Sequence, residues 1–231
     1  LLPAGRYAHI CDLVEFAPLR GKRCLILGGR QSAFEWAALL HEAGAAAVHV
    51  VHRHASPAFA AADWSWVNPL VENMVENPGW FRQLPQAEKE AVSRRLWAEG
   101  RLKVEPWLEQ RVMVDGVTVW PETAVAHTEE STHGDILVTL SNGEALVVDN
   151  IILATGYKVS IESVPFLAQG NMLPRLATRN GFPVLDEHFQ TNIPGLFITS
   201  MAAGQDFGPF FGFTISVRTS ARLIGQALTA A

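Results

Sequence analysis

The chain has 231 residues, 48% of them apolar and 18% charged, with a formal net charge of -5. That balance describes a globular protein large enough to bury a core, and the acidic excess argues against nucleic acid as a general partner. Two cysteines, Cys11 and Cys24, make neither a disulfide framework nor a C-x-x-C redox pair. The apolar runs are too short to span a bilayer and no signal-peptide architecture opens the chain, so a cytoplasmic protein without a membrane partner is expected. Because the chain begins at Leu1 rather than Met, it is read as having had an upstream segment removed.

Residues 1–20 contain Pro3, Gly5 and Pro18 with little periodicity and read as an entry linker. A first strand is expected over 22–27. The helix after it places Ala33, Trp36, Ala37 and Leu40 on one face, with Gly44 as C-cap. A second buried strand over 47–51 closes a strand–helix–strand unit of about thirty residues. From 54 to 80 the chain is rich in Trp, Pro and Ala (Trp64, Trp66, Pro69, Pro78, Trp80), an excursion where α/β folds keep ligand-facing loops. An amphipathic helix is predicted over 86–99, with Val92 and Leu96 inward and Gly100 as its stop.

Short strands are then expected over 102–104, 112–119, 124–126, 136–140 and 146–153, with a hairpin turn at Ser141-Asn142-Gly143-Glu144. Residues 158–195 read as loop with short helices. A buried strand over 196–199, a Gly-rich segment over 203–209 and a closing helix over 213–228 follow, the helix carrying Ile215, Thr219, Arg222 and Leu223 in register.

The stretch Gly28-Gly29-Arg30-Gln31-Ser32-Ala33-Phe34-Glu35 follows a strand and opens a helix. It matches the G-x-G-x-x-G/A dinucleotide fingerprint at Gly28 and Ala33, where a tight turn presents backbone N–H groups and a helix N-terminus to a pyrophosphate. Arg30 occupies the second glycine position, where it either narrows the approach of phosphate or touches it as a cation. An ordinary tight strand–helix turn is the other reading. At the end of the second strand stands Arg53, with no acidic residue until Asp63, which favours a ribose 2′-phosphate and hence NADPH over NADH. A solvated charge at a strand end is the alternative. His52, His54, His127, His133 and His188 lack a third partner at metal-ligand spacing, so no metal site is expected. Ser32 fits a helix start, and Glu35 the first helical turn, better than either fits catalysis.

The Gly28–Glu35 set, then Arg53, then Ile152-Leu153-Ala154-Thr155-Gly156-Tyr157, resembles the flavin-containing monooxygenases and their Baeyer–Villiger and N-hydroxylating relatives. Gly5-Arg6-Tyr7-Ala8-His9 is similar to the core of their F-x-G-x-x-x-H fingerprint, with Pro3 in place of the leading Phe and Leu13 in place of the later aromatic. The resemblance implies an α/β fold: a Rossmann-type NADP-binding domain inserted in an FAD/NAD(P)-binding two-domain fold. The family's first G-x-G-x-x-G, which holds FAD, would precede Gly5, so only the C-terminal part of the FAD domain is expected. The implied boundaries are 1–20 for the linker, 21–155 for the NADP-binding domain and 156–231 for the FAD-domain segment.

Implied cofactor contacts are Gly28, Gly29, Arg30, Gln31, Ser32, Arg53, Thr155, Gly156, His9 and Asp206, with the chain around Gly212 and Phe213 facing flavin. No residue is assigned a catalytic role. The aromatic residues Phe207, Phe210, Phe211 and Phe213 are equally consistent with simple packing. The implied activity is that of an NADPH- and FAD-dependent monooxygenase, in which NADPH reduces FAD and FAD activates O2 to oxygenate a small-molecule substrate. A non-catalytic NADP(H)-binding module or incomplete fragment is a second reading. A thioredoxin-reductase-like flavoprotein without a redox dithiol is a third. The sequence is compatible with a homo-oligomer and leaves the substrate open.

Overall fold

A computed structural model describes residues 6–12 and 15–230. Pro3, Gly5 and Leu13, which carry part of the fingerprint resemblance, lie outside the described residues. In chain order the elements begin with β1 (Tyr7–His9), β2 (Arg23–Leu27), α1 (Gln31–Glu42), β3 (Ala47–Val51) and β4 (Ala58–Phe59). Helices α2 (Val67–Glu76), α3 (Trp80–Gln83) and α4 (Gln86–Arg101) follow, then β5 (Lys103–Val104) and α5 (Glu109–Val112). Five strands come next: β6 (Val117–Trp120), β7 (Val125–Glu130), β8 (Ile136–Leu140), β9 (Ala145–Val148) and β10 (Asn150–Leu153). The chain closes with α6 (Pro165–Ala168), β11 (Thr178–Arg179), β12 (Phe182–Pro183), α7 (Gly204–Phe207) and α8 (Val217–Ala230). By contact it divides into two compact units: Leu1–Ala62 with Ala98–Gly156, and Asp63–Trp97 with Tyr157–Ala231.

The first unit is built on a five-stranded parallel sheet in the order β1-β10-β2-β3-β6. Its central strands are continuous apolar runs because both faces are covered. On one face Cys24, Ile26, Val48, Val50 and Ile152 pack with Ala33, Phe34, Ala37 and Leu40 of α1. On the other, Leu25, Val51 and Ile151 pack against Ile136, Val138, Leu140, Leu146 and Val148 of the antiparallel sheet β7-β8-β9. In β8 the buried residues alternate with exposed Leu137, the pattern of a sheet with one dry face. The register aligns the C-terminal ends of all five parallel strands in one row: His9, Leu153, Leu27, Val51 and Trp120.

The second unit is held by aromatic packing. Phe189 stacks on Phe207 with ring centroids 3.7 Å apart, and Phe210, Phe211 and Phe81 complete a core with Leu223 of α8. The simple-packing reading therefore holds for Phe207, Phe210 and Phe211, which are buried, while Phe213 is exposed and tilted against Trp64 at 5.7 Å.

Several expected boundaries move. Tyr7–His9, placed in a linker by its lack of periodicity, is an edge strand, held by backbone pairing with β10 rather than by an apolar pattern. The single strand expected over 146–153 is two strands, because Asp149 hands the chain from the antiparallel to the parallel sheet. Of 112–119, only the last residues are strand; Glu109–Val112 is a helical turn that buries Val112 against α1. Helix α4 passes through Gly100 to Arg101 with Val92 and Leu96 half-buried. Residues 196–199 form no strand, only a bridge from Phe197 to Gln190. The closing helix starts at Val217 after two 3₁₀ turns, and Arg222 is exposed while Thr219 and Leu223 are buried.

Candidate functional site

The turn between β2 and α1 lies where the connections leave β2 in opposite directions, with β3 on one side and β10 on the other. Ligands of open parallel sheets bind at such a switch point, beyond the strands' C-terminal ends. Gly28 has φ 148°, and a Cβ there would fall 2.3 Å from the Ala154 carbonyl oxygen. A Cβ on Gly29 would fall 2.3 Å from Cγ of His52. Both glycines are therefore required by close approach, the first to the end of β10 and the second to the end of β3. The Gly28 N–H donates to Val51 O at 3.0 Å and the Ala154 N–H to Leu27 O at 2.8 Å, so the turn and the Ala-Thr-Gly segment share one ladder.

Helix α1 has Arg30 as its N-cap, in extended conformation and without a side-chain cap. Its first N–H groups consequently face out of the helix end, carrying partial positive charge. Arg30 Nη1 donates to the carbonyl of Arg101, and burial together with the neighbouring Arg101 charge lowers the guanidinium pKa from its ordinary value. Gln31 donates from Nε2 to Glu35 Oε1 at 2.8 Å and accepts the Glu105 N–H at 2.9 Å, fastening the turn to the segment after β5. Ser32 is the second helical residue and half-buried. Glu35 is the fifth residue of α1, beyond the first turn where its sequence position suggested it, and it serves as the partner of Gln31.

At the exit of β3, the His52 N–H donates to Trp120 O at 3.1 Å, and the Thr123 and Glu122 N–H groups donate to His52 O and His54 O. This lacing turns Arg53 outward, exposed, and His52 inward, 4% exposed. His52 Nδ1 lies 2.8 Å from the His54 carbonyl oxygen, and the two imidazoles stack at 4.6 Å. His52 Nε2 is buried and has no hydrogen-bond partner among the described residues. Burial foremost, then the neighbouring His54 and Arg30, lowers the His52 pKa from its ordinary value, although the His54 carbonyl opposes this.

Thr155 and Gly156 follow Ala154 as exposed residues, Gly156 at φ 82°. His9 ends β1, with Nδ1 3.0 Å from Cys11 Sγ and its N–H donated to Asp12 Oδ2 at 2.7 Å. The structure thus brings His9, Gly28 to Ser32, Arg53, Thr155 and Gly156 to one edge of one sheet. Asp206 belongs to the second unit, where it is 2% exposed. It accepts from Arg179 at 2.7 Å and from the Leu185 N–H at 3.0 Å, and pairs with Arg82 at 3.5 Å. Those partners give it a structural role, because two cations and an amide compensate a buried carboxylate.

A polar cleft of about 280 Å³ at the opposite end of the parallel strands is filled by ion pairs among Arg6, Arg23, Asp135 and Asp149 and is a fastening of the two sheets. What sequence reading passed over at the ligand edge is His52, weighed there only as a metal ligand. Its signal was the two-residue alternation Val48, Val50, His52, which puts the imidazole on the buried face that α1 covers.

A family model described as pyridine nucleotide-disulphide oxidoreductase matches residues 90–204. An FAD-dependent urate hydroxylase from Xanthomonas campestris pv. campestris is 29% identical over 171 residues, 72% of this chain and 34% of that protein. The ornithine N-hydroxylase KtzI from Kutzneria sp. 744, with reduced FAD, NADP+ and L-ornithine, aligns with TM-score 0.66 and 16% identity. That alignment covers 90% of this chain and 54% of the other. The HOCl-induced flavoprotein disulfide reductase RclA from Escherichia coli aligns with TM-score 0.54 and 16% identity, over 99% of this chain and 42% of the other. The chain therefore spans about a third of the curated relative and about half of the solved structures or less. These matches group it with the FAD/NAD(P)-binding oxidoreductases, whose mixed α/β fold it carries.

Proposed function

We propose that this chain is the pyridine-nucleotide-binding part of an NADPH- and FAD-dependent oxidoreductase, of the monooxygenase kind. The observation that carries the reading is the shared edge at the switch point: the Gly28-Gly29 turn, the N-terminus of α1 and Arg53 stand on one row of strand ends. Those groups fit a dinucleotide. Two glycines without room for a Cβ leave backbone N–H groups open to a pyrophosphate, and the helix dipole favours its charge. Arg53 is an exposed guanidinium beside the ribose position, suited to a 2′-phosphate. Arg30, Gln31 and Ser32 frame the phosphate side, while Thr155, Gly156 and His9 border the continuation of the site along β10 and β1.

In this reading residues 1–20 are the linker, 21–155 hold NADP(H), and 156–231 are the C-terminal segment of the FAD-binding part. The two cofactors, when bound, supply hydride transfer and oxygen activation. The chain's own residues bind and orient: the turn holds the pyrophosphate, Arg53 selects the phosphorylated nucleotide, and the laced exit of β3 keeps Arg53 outward. The flavin-dependent hydroxylases with which the chain aligns support an oxygenating activity on a small molecule.

Disulfide reduction, the activity in the name of RclA, is disfavoured by the cysteines. Cys24 is fully buried and its thiol is pushed up to about 11 by burial, foremost, and by Asp149. A thiol so placed is not a nucleophile at neutral pH.

Titration of the chain with NADP+ and NAD+ tests the reading. Wild type is expected to bind NADP+ more tightly, and Arg53→Ala to lose about tenfold or more for NADP+ while keeping its NAD+ affinity. Equal affinities for the two nucleotides, or equal losses, would remove the NADP assignment.

A further inference from the structure

We infer that His52 is the residue that reads the adenosine ribose, its Nε2 accepting a hydrogen bond from a ribose hydroxyl of the bound dinucleotide. The inference rests on the dinucleotide reading of this edge and adds a specificity residue to it.

The tautomer follows from geometry. A carbonyl oxygen only accepts, so the 2.8 Å contact to His54 O requires Nδ1 to carry the hydrogen. In the neutral ring Nε2 is then a bare lone pair, and it is a buried acceptor without a partner among the described residues. Buried polar groups are nearly always satisfied, and one left open beside a ligand-facing turn points to a donor on the ligand. The imidazole lies against Gly29, at the open N-terminus of a 12-residue helix.

Position identifies the donor. In a strand–turn–helix–strand unit, the residue just past the second strand faces the adenosine ribose, and a carboxylate there accepts from its hydroxyl. This chain has no carboxylate at that exit; it has His52 next to Arg53. A carboxylate would repel a neighbouring 2′-phosphate, whereas a neutral imidazole accepts the hydroxyl without that repulsion. His52 and Arg53 therefore divide the recognition, one reading the sugar and the other the phosphate.

The groups facing the ring keep it neutral. Arg30 stands in the turn, His54 is stacked on it and Arg53 is next in the chain. The exit of β6 contributes only backbone there: the Trp120 carbonyl and the N–H groups of Glu122 and Thr123. From α1 the neighbour is Phe34, its ring centroid 6.2 Å away. Protonation would turn Nε2 from acceptor to donor, so affinity should fall as pH drops through and below the ordinary imidazole range of about 6.5.

The test uses the full chain, with NAD+ and NADP+ as probes by isothermal calorimetry. His52→Leu is expected to weaken both nucleotides by a similar factor, about tenfold, and His52→Gln, which keeps an acceptor, to recover most of it. Because NAD+ lacks the titrating 2′-phosphate, its affinity reports the imidazole alone: it should fall with pH in wild type and stay level in His52→Gln. Nitrogen NMR of wild type reads the site without any variant, as an unprotonated Nε2 whose resonance moves on adding NAD+. Unchanged binding in His52→Leu, pH-independent NAD+ binding, or an Nε2 that carries the proton would each overturn the inference. Where wild type binds and only these results fail, the dinucleotide reading stands without His52; where wild type binds neither nucleotide, both fall.

Discussion

At the scale of single residues, the ligand edge is defined by what has been left out of it. Gly29 is needed because His52 occupies the volume a Cβ would take, and Gly28 because β10 does. Gly29→Ala should therefore push on an imidazole fixed by its neighbours and shift the turn. The expected cost is about 1–3 kcal/mol, the range for overpacking a filled site. Denaturant unfolding measures that loss, and nucleotide titration should show weaker binding because the N–H groups of the turn move with the backbone. Unaltered stability would mean that the His52 ring is free to yield. Arg30 illustrates the opposite case. A side chain where the fingerprint has glycine is accommodated because its guanidinium finds the Arg101 carbonyl.

At the scale of elements, the junction between β9 and β10 fastens the two sheets of the first unit. Asp149 receives the Arg23 backbone N–H at 2.7 Å and its guanidinium at 2.8 and 3.1 Å. The Arg23 hydrogen bonds, foremost, hold its carboxyl down to about 2, against an ordinary 3.8. A folded-state value below the unfolded one means stability present above the ordinary value and lost as pH falls from there toward 2. The guanidinium is partly exposed, so screening reduces the contribution to about 1 kcal/mol. Asp149→Asn is expected to lower stability by about that amount at neutral pH. Its deficit relative to wild type should shrink as pH is lowered through that window in urea melts. A constant deficit would place the effect in packing rather than in charge.

For the whole molecule, the decisive fact is that every residue of the proposed dinucleotide edge belongs to one compact unit, built from Leu1–Ala62 and Ala98–Gly156. A binding edge complete within one unit needs no second cofactor to form. NADP+ affinity is therefore expected to be the same with and without added FAD, measured by calorimetry on the full chain. A strong dependence on FAD would mean that the edge is completed by the flavin. The net charge of -5 works against a polyanionic ligand at long range, which makes the local cations Arg30 and Arg53 the source of attraction at the site.

How much of this was legible in the sequence depends on whether the information is local. The strand–turn–helix–strand around Gly28, the apolar face of α1, the Asn142-Gly143 turn and the order of Gly28, Arg53 and Ala154-Thr155-Gly156 are set by nearest neighbours and periodicity, and sequence alone determined them. Tyr7–His9 was not legible because an edge strand is stabilised by the backbone of a strand some 140 positions away, at Ile151 to Leu153. The handover at Asp149 was hidden for the same reason, since apolar residues continue on both sides of it while the pairing partner changes. Asp206 read as a cofactor contact by resemblance, and only tertiary structure surrounded it with Arg82, Arg179 and the Leu185 amide. His52 shows the division most sharply: the alternation of β3 put it on the buried face, but its orphaned nitrogen exists only because the folded chain removes water from it and supplies no partner.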